Sequence, residues 1–194
     1  MGQGPPSRTP TRQGGAGEVG RVRFPFYIRR VPRPLLLLLP LLLGLATPAA
    51  AACNDAAAPG VDWRRCLLDE RDLTGADLAG AVLRDASLGR ARMAGAKLAG
   101  VEATQARFVS TDLTGADLSG AGLLGADFTR AVLLRARLKG ADLRRAKLFR
   151  ADLTGADLTG VELLGADLSY AILDGARWTD GTRICAPGSV GACQ

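Results

Sequence analysis

The residues with chemical capacity are four cysteines, a recurring row of aspartates and a run of arginines, and no histidine accompanies them. Without His the chain lacks the usual general base, the usual proton shuttle and the first-choice zinc ligand, so most hydrolase and metal-enzyme readings fall away. Paired carboxylates could do acid–base work, but these aspartates recur at a fixed spacing opposite Lys or Arg, and catalysis needs a cleft that shifts a pKa. The Ser and Thr residues have no base arranged around a unique nucleophile, and the glycines, spaced by five, never precede the Lys-Ser/Thr pair of a phosphate loop. Cys53 and Cys66, like Cys185 and Cys193, lack Cys-x-x-Cys spacing. No catalytic residue, metal site or cofactor is expected.

Charge narrows the partners. The net charge of +6 is local, because residues 1–52 hold seven Arg and one Glu while 53–194 hold 18 basic and 18 acidic residues. A neutral body offers no one-signed field, so neither a nucleic-acid binder nor an acidic DNA mimic is expected. The basic segment 1–34 leads into an apolar run over 35–46 and a tail of small residues, which is a secretory signal pattern. About twelve apolar residues do not cross a bilayer that takes roughly 20. Cleavage after Ala50-Ala51-Ala52 would place the mature protein in the periplasm or outside the cell, with Cys53 first. That stretch approaches a lipobox, so a lipid-anchored envelope lipoprotein is the alternative, and only then is membrane attachment expected. Four cysteines allow three connectivities. Lipid on Cys53 would strand Cys66, and two local staples suit an exported domain, so the expected pairs are Cys53–Cys66 and Cys185–Cys193.

The elements that position these residues follow from a period of five. Of the 23 positions taken every fifth residue from Leu68 to Trp178, 18 are Leu, and of the 23 lying two residues earlier, 18 are Ala. Side chains two apart share one face of an extended segment, whereas residues five apart drift around a helix that the many Gly would also weaken. In this register the chain resembles the pentapeptide-repeat family, whose A-(D/N)-L-x-x unit appears as Ala76-Asp77-Leu78, Ala116-Asp117-Leu118, Ala141-Asp142-Leu143, Ala156-Asp157-Leu158 and Ala166-Asp167-Leu168. The resemblance implies an all-β, right-handed quadrilateral parallel β-helix. With about 20 residues per coil, the 22 units of 71–180 would make about 5.5 coils. It also implies a non-enzymatic interaction role, and the family's best-known members protect DNA gyrase by resembling DNA. An intracellular gyrase modulator is therefore a second alternative, set against the 15 basic and 14 acidic residues of 71–180.

A 20-residue coil stacks residues 20 apart. Gly dominates the ends of units at the first two corners (Gly75, Gly95, Gly115 and Gly80, Gly100, Gly120), while the fourth reads Glu70, Arg90, Ser110, Arg130, Arg150, Tyr170. Turns with positive φ are expected at the first two corners and not at the fourth. The outward residues of the second side, Asp77, Lys97, Asp117, Arg137, Asp157 and Arg177, alternate in sign, a ladder that secures register. Phe108 and Phe128 should stack inside, and Phe108 with Val101 should fill the volume that Ala103 leaves. The expected organisation is a leader over 1–52, an N-terminal cap over 53–70 with Trp63 as apolar lid, the β-helix over 71–180 and a disulfide cap over 181–194. Leu124, Arg130, Leu134, Arg144, Phe149, Arg150 and Leu164 combine exposed apolar and Arg character and form a candidate patch for an unknown protein partner. The resulting reading is an exported structural or interaction module of the cell envelope.

Overall fold

The structure, a computed structural model, describes residues 52–194, and the leader and its cleavage site lie outside the described residues. A short 3-10 turn, Ala52–Asn54, opens this part of the chain. From there one backbone unit recurs. The inward Leu carbonyl accepts the N–H three residues on, as in Ala76 to Leu73 at 3.0 Å and Ala141 to Leu138 at 2.9 Å, closing a β-turn at each corner. The inward Leu N–H donates to the outward residue of the next coil, as from Leu73 to Arg92 at 2.7 Å. The outward N–H donates back to the coil before, as from Asp112 to Ala91 at 3.0 Å. Parallel bridges therefore join residues 20 apart, from Asp62 with Val82 through Asp157 with Arg177. Four units return the chain to its starting azimuth, which makes a four-sided β-helix. Parallel crossovers of this kind are right-handed.

The fourth corner departs from expectation. Glu70, Arg90, Ser110, Arg130, Arg150 and Tyr170 all have positive φ, between 56° and 61°, as the glycines of the other corners do. A left-handed residue with a Cβ costs on the order of 1–2 kcal/mol. The turn geometry demands that conformation whatever the side chain, and it aims the N–H at the next coil, as from Arg90 to Val109 at 2.9 Å. Some of the side chains at this corner meet across coils. Arg90 pairs with Glu70 at 2.6 Å, for example.

Inside, the Leu and Ala positions form one buried column. Phe108 and Phe128 stack with centroids 4.8 Å apart and planes 6° from parallel. Met93, Leu98, Val101, Ala103 and Phe108 are all fully buried, so the small residue at 103 is compensated as expected. Thr111 occupies an Ala position and satisfies its buried hydroxyl by donating to the Leu88 carbonyl at 2.7 Å. Trp63 is wholly buried, with the Arg71 guanidinium 6.0 Å from its ring centroid and that same Arg donating to the Cys53 carbonyl at 3.1 Å. The Cys53 and Cys66 sulfurs lie at bonding distance, as do those of Cys185 and Cys193. After Arg177 the chain doubles back, and antiparallel bridges join Ile172 with Val190 and Arg177 with Ile184.

Candidate interaction surface

Each unit leaves one backbone N–H, that of the residue after the inward Leu, without a ladder partner. In the units that carry an outward Asp, its carboxylate takes it. Asp72 accepts from Thr74 N–H at 3.1 Å, Asp112 from Thr114 at 3.0 Å, Asp127 from Thr129 at 2.9 Å and Asp152 from Thr154 at 2.9 Å. Where the third residue is Thr or Ser its hydroxyl can add a bond, as from Thr74 at 2.7 Å and Ser119 at 2.6 Å. The aspartates are thus first backbone caps and only then ion-pair members, a role that sequence reasoning missed. The D-L-T and D-L-S strings were its signal, since Asx turns close on the residue two ahead.

Hydrogen bonding favours the ionised carboxylates. Thr74 hydroxyl and N–H, followed by Arg92, hold the Asp72 carboxyl below its usual range. At Asp117 partial burial works against ionisation, but bonds from the Ser119 hydroxyl, Arg137 and the Ser119 N–H outweigh it, and the pKa is lowered. The cations reach back to the coil before them. Arg92 meets Asp72 at 2.8 Å, Lys97 meets Asp77 at 3.4 Å, Arg137 meets Asp117, and Lys147 approaches Asp127 at 3.9 Å. Among the described residues none of these cations pairs with the Asp of the following coil, so the alternating ladder resolves into separate pairs.

The candidate patch divides among three corners. Leu124, Arg144 and Leu164 stack at the third corner, Arg130, Phe149 and Arg150 at the fourth, and Leu134 stands at the first, beyond the side that carries Val132 and Asp152. Arg144 is committed, with Nε and Nη2 on Asp142 at 2.8 and 2.7 Å and Glu162 at 3.3 Å. Arg130 and Arg150 have no ion pair among the described residues. The Arg150 guanidinium lies 5.2 Å from the Phe149 centroid and 5.8 Å from that of Tyr170, and the two rings meet edge-on at 5.6 Å and 80°. Tyr170 completes this cluster, which sequence reasoning saw only as a corner residue. A shallow open depression of about 470 Å³ lies lower down, lined by residues including Leu67, Asp69, Ser87 and Arg107. No group of residues suited to hold a metal ion occurs among the described residues. No helix among them is long and apolar enough to cross a membrane.

A repeated five-residue turn, a Leu–Ala interior and outward Asp caps define a four-sided repeat solenoid. The chain belongs to the pentapeptide-repeat family, whose pattern matches in 8 copies over residues 72–108, 86–123, 111–148 and 146–177. Among solved structures, the chain is 33% identical to HetL of the cyanobacterium Nostoc, a protein involved in regulating heterocyst differentiation, over 62% of this chain and 67% of that one, with a TM-score of 0.28. A second Nostoc pentapeptide repeat protein is 35% identical over 44% of this chain and 69% of that one, with a TM-score of 0.42. QnrB1, a plasmid-mediated fluoroquinolone resistance protein, is 19% identical over 62% of this chain and 70% of that one, with a TM-score of 0.51, a likeness of fold. No curated protein matches the chain.

Proposed function

We propose that the chain is an exported, non-enzymatic solenoid of about five and a half coils that serves as a structural or protein-interaction module in the cell envelope. The observation that carries this reading is how the surface polar groups are spent. Most outward carboxylates cap a backbone N–H or pair with a cation one coil on, while Arg150, Phe149 and Tyr170 form a cluster with no carboxylate partner among the described residues. Arg and aromatic side chains grouped in this way are the composition of protein interfaces. The leader pattern and a cysteine pair at each end of the described chain support export, with the coils that follow the N-terminal pair already stacking from Asp62, inside the expected 53–70 cap. A Cys53 bonded to Cys66 would have no thiol free for lipid. The topoisomerase-modulator reading has the fold likeness to QnrB1 behind it, yet the alternating columns lack the one-signed field of a DNA mimic.

Fractionation of producing cells, with mass measurement of the mature chain, tests the proposal. The expected product begins at Cys53, holds two disulfides and leaves the cytoplasm. Envelope proteins cross-linked to it should be lost with Phe149→Ala and Arg150→Ala. A cytoplasmic chain that retains residues 1–52 would contradict the reading.

A further inference from the structure

The end of the ladder beyond Arg177 is a step. Over the sides that carry Ile172 and Arg177 the returning segment adds a layer, with Leu173 donating to Ser189, Gly175 to Cys185 and Gly191 to Ala171, each at 2.9 Å. The other two sides of that coil, which carry Glu162 and Asp167, have no hydrogen-bonded layer among the described residues, and the returning segment touches them only where Gly191 stands beside the Leu168 carbonyl and the Tyr170 nitrogen. There the N–H groups of Leu163, Gly165, Leu168 and Tyr170 find no acceptor among the described residues. Their counterparts one coil earlier, Leu143, Arg145, Leu148 and Arg150, donate to Glu162, Leu164, Asp167 and Ser169. The open half is also apolar, with Leu164 80% and Tyr170 64% exposed. Of seven exposed large hydrophobic residues among those described, five lie on this last coil or on the returning segment, the others there being Ile172, Ile184 and Val190. An unpaired edge beside apolar side chains is a template for another strand.

We infer that this step is a two-fold interface with a second copy of the chain. A two-fold axis across the end of the coil, through the corners after Arg177 and after Asp167, sets the raised half of each copy on the recessed half of the other. The layer over Arg177 then lies on the Glu162 side of the second copy, and the layer over Ile172 lies on its Asp167 side. Each returning segment takes the place of the next coil, one strand spacing of about 4.8 Å above the open edge, where its backbone can serve the four unpaired N–H groups. Charge fits this placement. The raised half presents Arg177 and Arg183 where the recessed half presents Glu162. Asp180 and Asp174 accept the N–H groups of Thr182, Arg183 and Gly188, while Arg183 Nε stands 3.8 Å from Asp180 and Glu162 3.3 Å from Arg144, so the contact extends two loose surface pairs across the axis. The contact uses the same patch on both copies, so it closes at two, whereas head-to-tail stacking of coils would run on. The inference rests on the end of the ladder and not on the export reading.

Sedimentation equilibrium of the purified protein over about 1–100 µM tests it. A dimer is expected, with Leu164→Asp and Arg183→Glu each weakening association at least tenfold. Glu162→Arg added to Arg183→Glu should restore most of it. Unchanged circular dichroism separates lost contact from lost fold, and should Leu164→Asp unfold the last coil, Tyr170→Ser reads the same edge. A monomer throughout, growth beyond two copies, a dimer indifferent to these substitutions, or a double variant no tighter than Arg183→Glu would each overturn the two-fold placement.

Discussion

Asp69 Oδ1 accepts the N–H of Gly89, one coil later, at 2.6 Å and the hydroxyl of Ser87 at 2.7 Å. Ser87 stands at the position where nine of the 22 units of 71–180 carry Asp, so the N–H that a carboxylate of the same unit would cap is taken by one from the coil before. A Cβ on residue 89 would stand 2.9 Å from that oxygen, which makes this Gly a matter of space rather than of φ. Asp69→Ala should cost about 0.5–1.5 kcal/mol in urea unfolding, and much less in a Gly89→Ala background, because both changes break one contact. Additive losses would contradict the bridge.

Phe108→Ala should destabilise the protein by roughly 3–5 kcal/mol, since it empties a fully buried site and removes the ring stacked on Phe128. Calorimetric or denaturant unfolding measures this. A loss under about 0.5 kcal/mol would place the side chain outside the core.

Asp117→Lys should lower stability in two separable parts. The new cation stands between Lys97 and Arg137, and that repulsion is screened by salt over about 8–10 Å. The lost cap on Ser119 N–H, at 3.1 Å, is indifferent to salt. Melting temperature should therefore recover in part, not fully, at high salt. Asp117→Asn keeps an acceptor for that N–H but loses the ion pair with Arg137, and should show only a small loss that shrinks at high salt.

The capping carboxylates set an acid limit. Hydrogen bonds from the capped N–H groups, hydroxyls and Arg side chains hold the carboxyls of Asp72, Asp117, Asp142 and Asp157 below the ordinary carboxylate range in the folded state. The unfolded chain therefore binds protons first as pH falls, so their stabilisation is full above about pH 4 and is lost below it as the folded carboxyls protonate. Thermal unfolding should show a melting temperature that drops below about pH 4. The drop should be shallower when several capping Asp are replaced by Asn, which caps without titrating. An equally steep acid limit in the Asn variants would contradict the assignment.

The coil was legible in the letters because its two determinants are sequence-local. Leu and Ala two apart fix the inward face, and residues such as Asp77 and Lys97, 20 apart, carry the stacking. Handedness of the corner residue was only half legible. Gly at the last position of a unit marks positive φ, but Arg90 and Tyr170 adopt the same φ there because the turn dictates it. The Arg150 cluster with Phe149 and Tyr170 was partly hidden, since it joins residues of adjacent coils whose rotamers no spacing specifies. The step at the end of the ladder depends on where the segment after Arg177 folds back, and the string 181–194, with three Gly and one Pro, does not encode that direction.

Every column, pair and edge described here depends on a period of 20 residues along one side. Nitroxide labels placed pairwise at position 77 and at 137, 157 or 177, three, four and five coils away, measure that period by electron–electron distances. The expected backbone separations are about 14, 19 and 24 Å, rising by one strand spacing per coil. Separations that do not climb in equal steps of about 5 Å, or that climb by the larger steps of a less tightly wound chain, would contradict the four-sided coil.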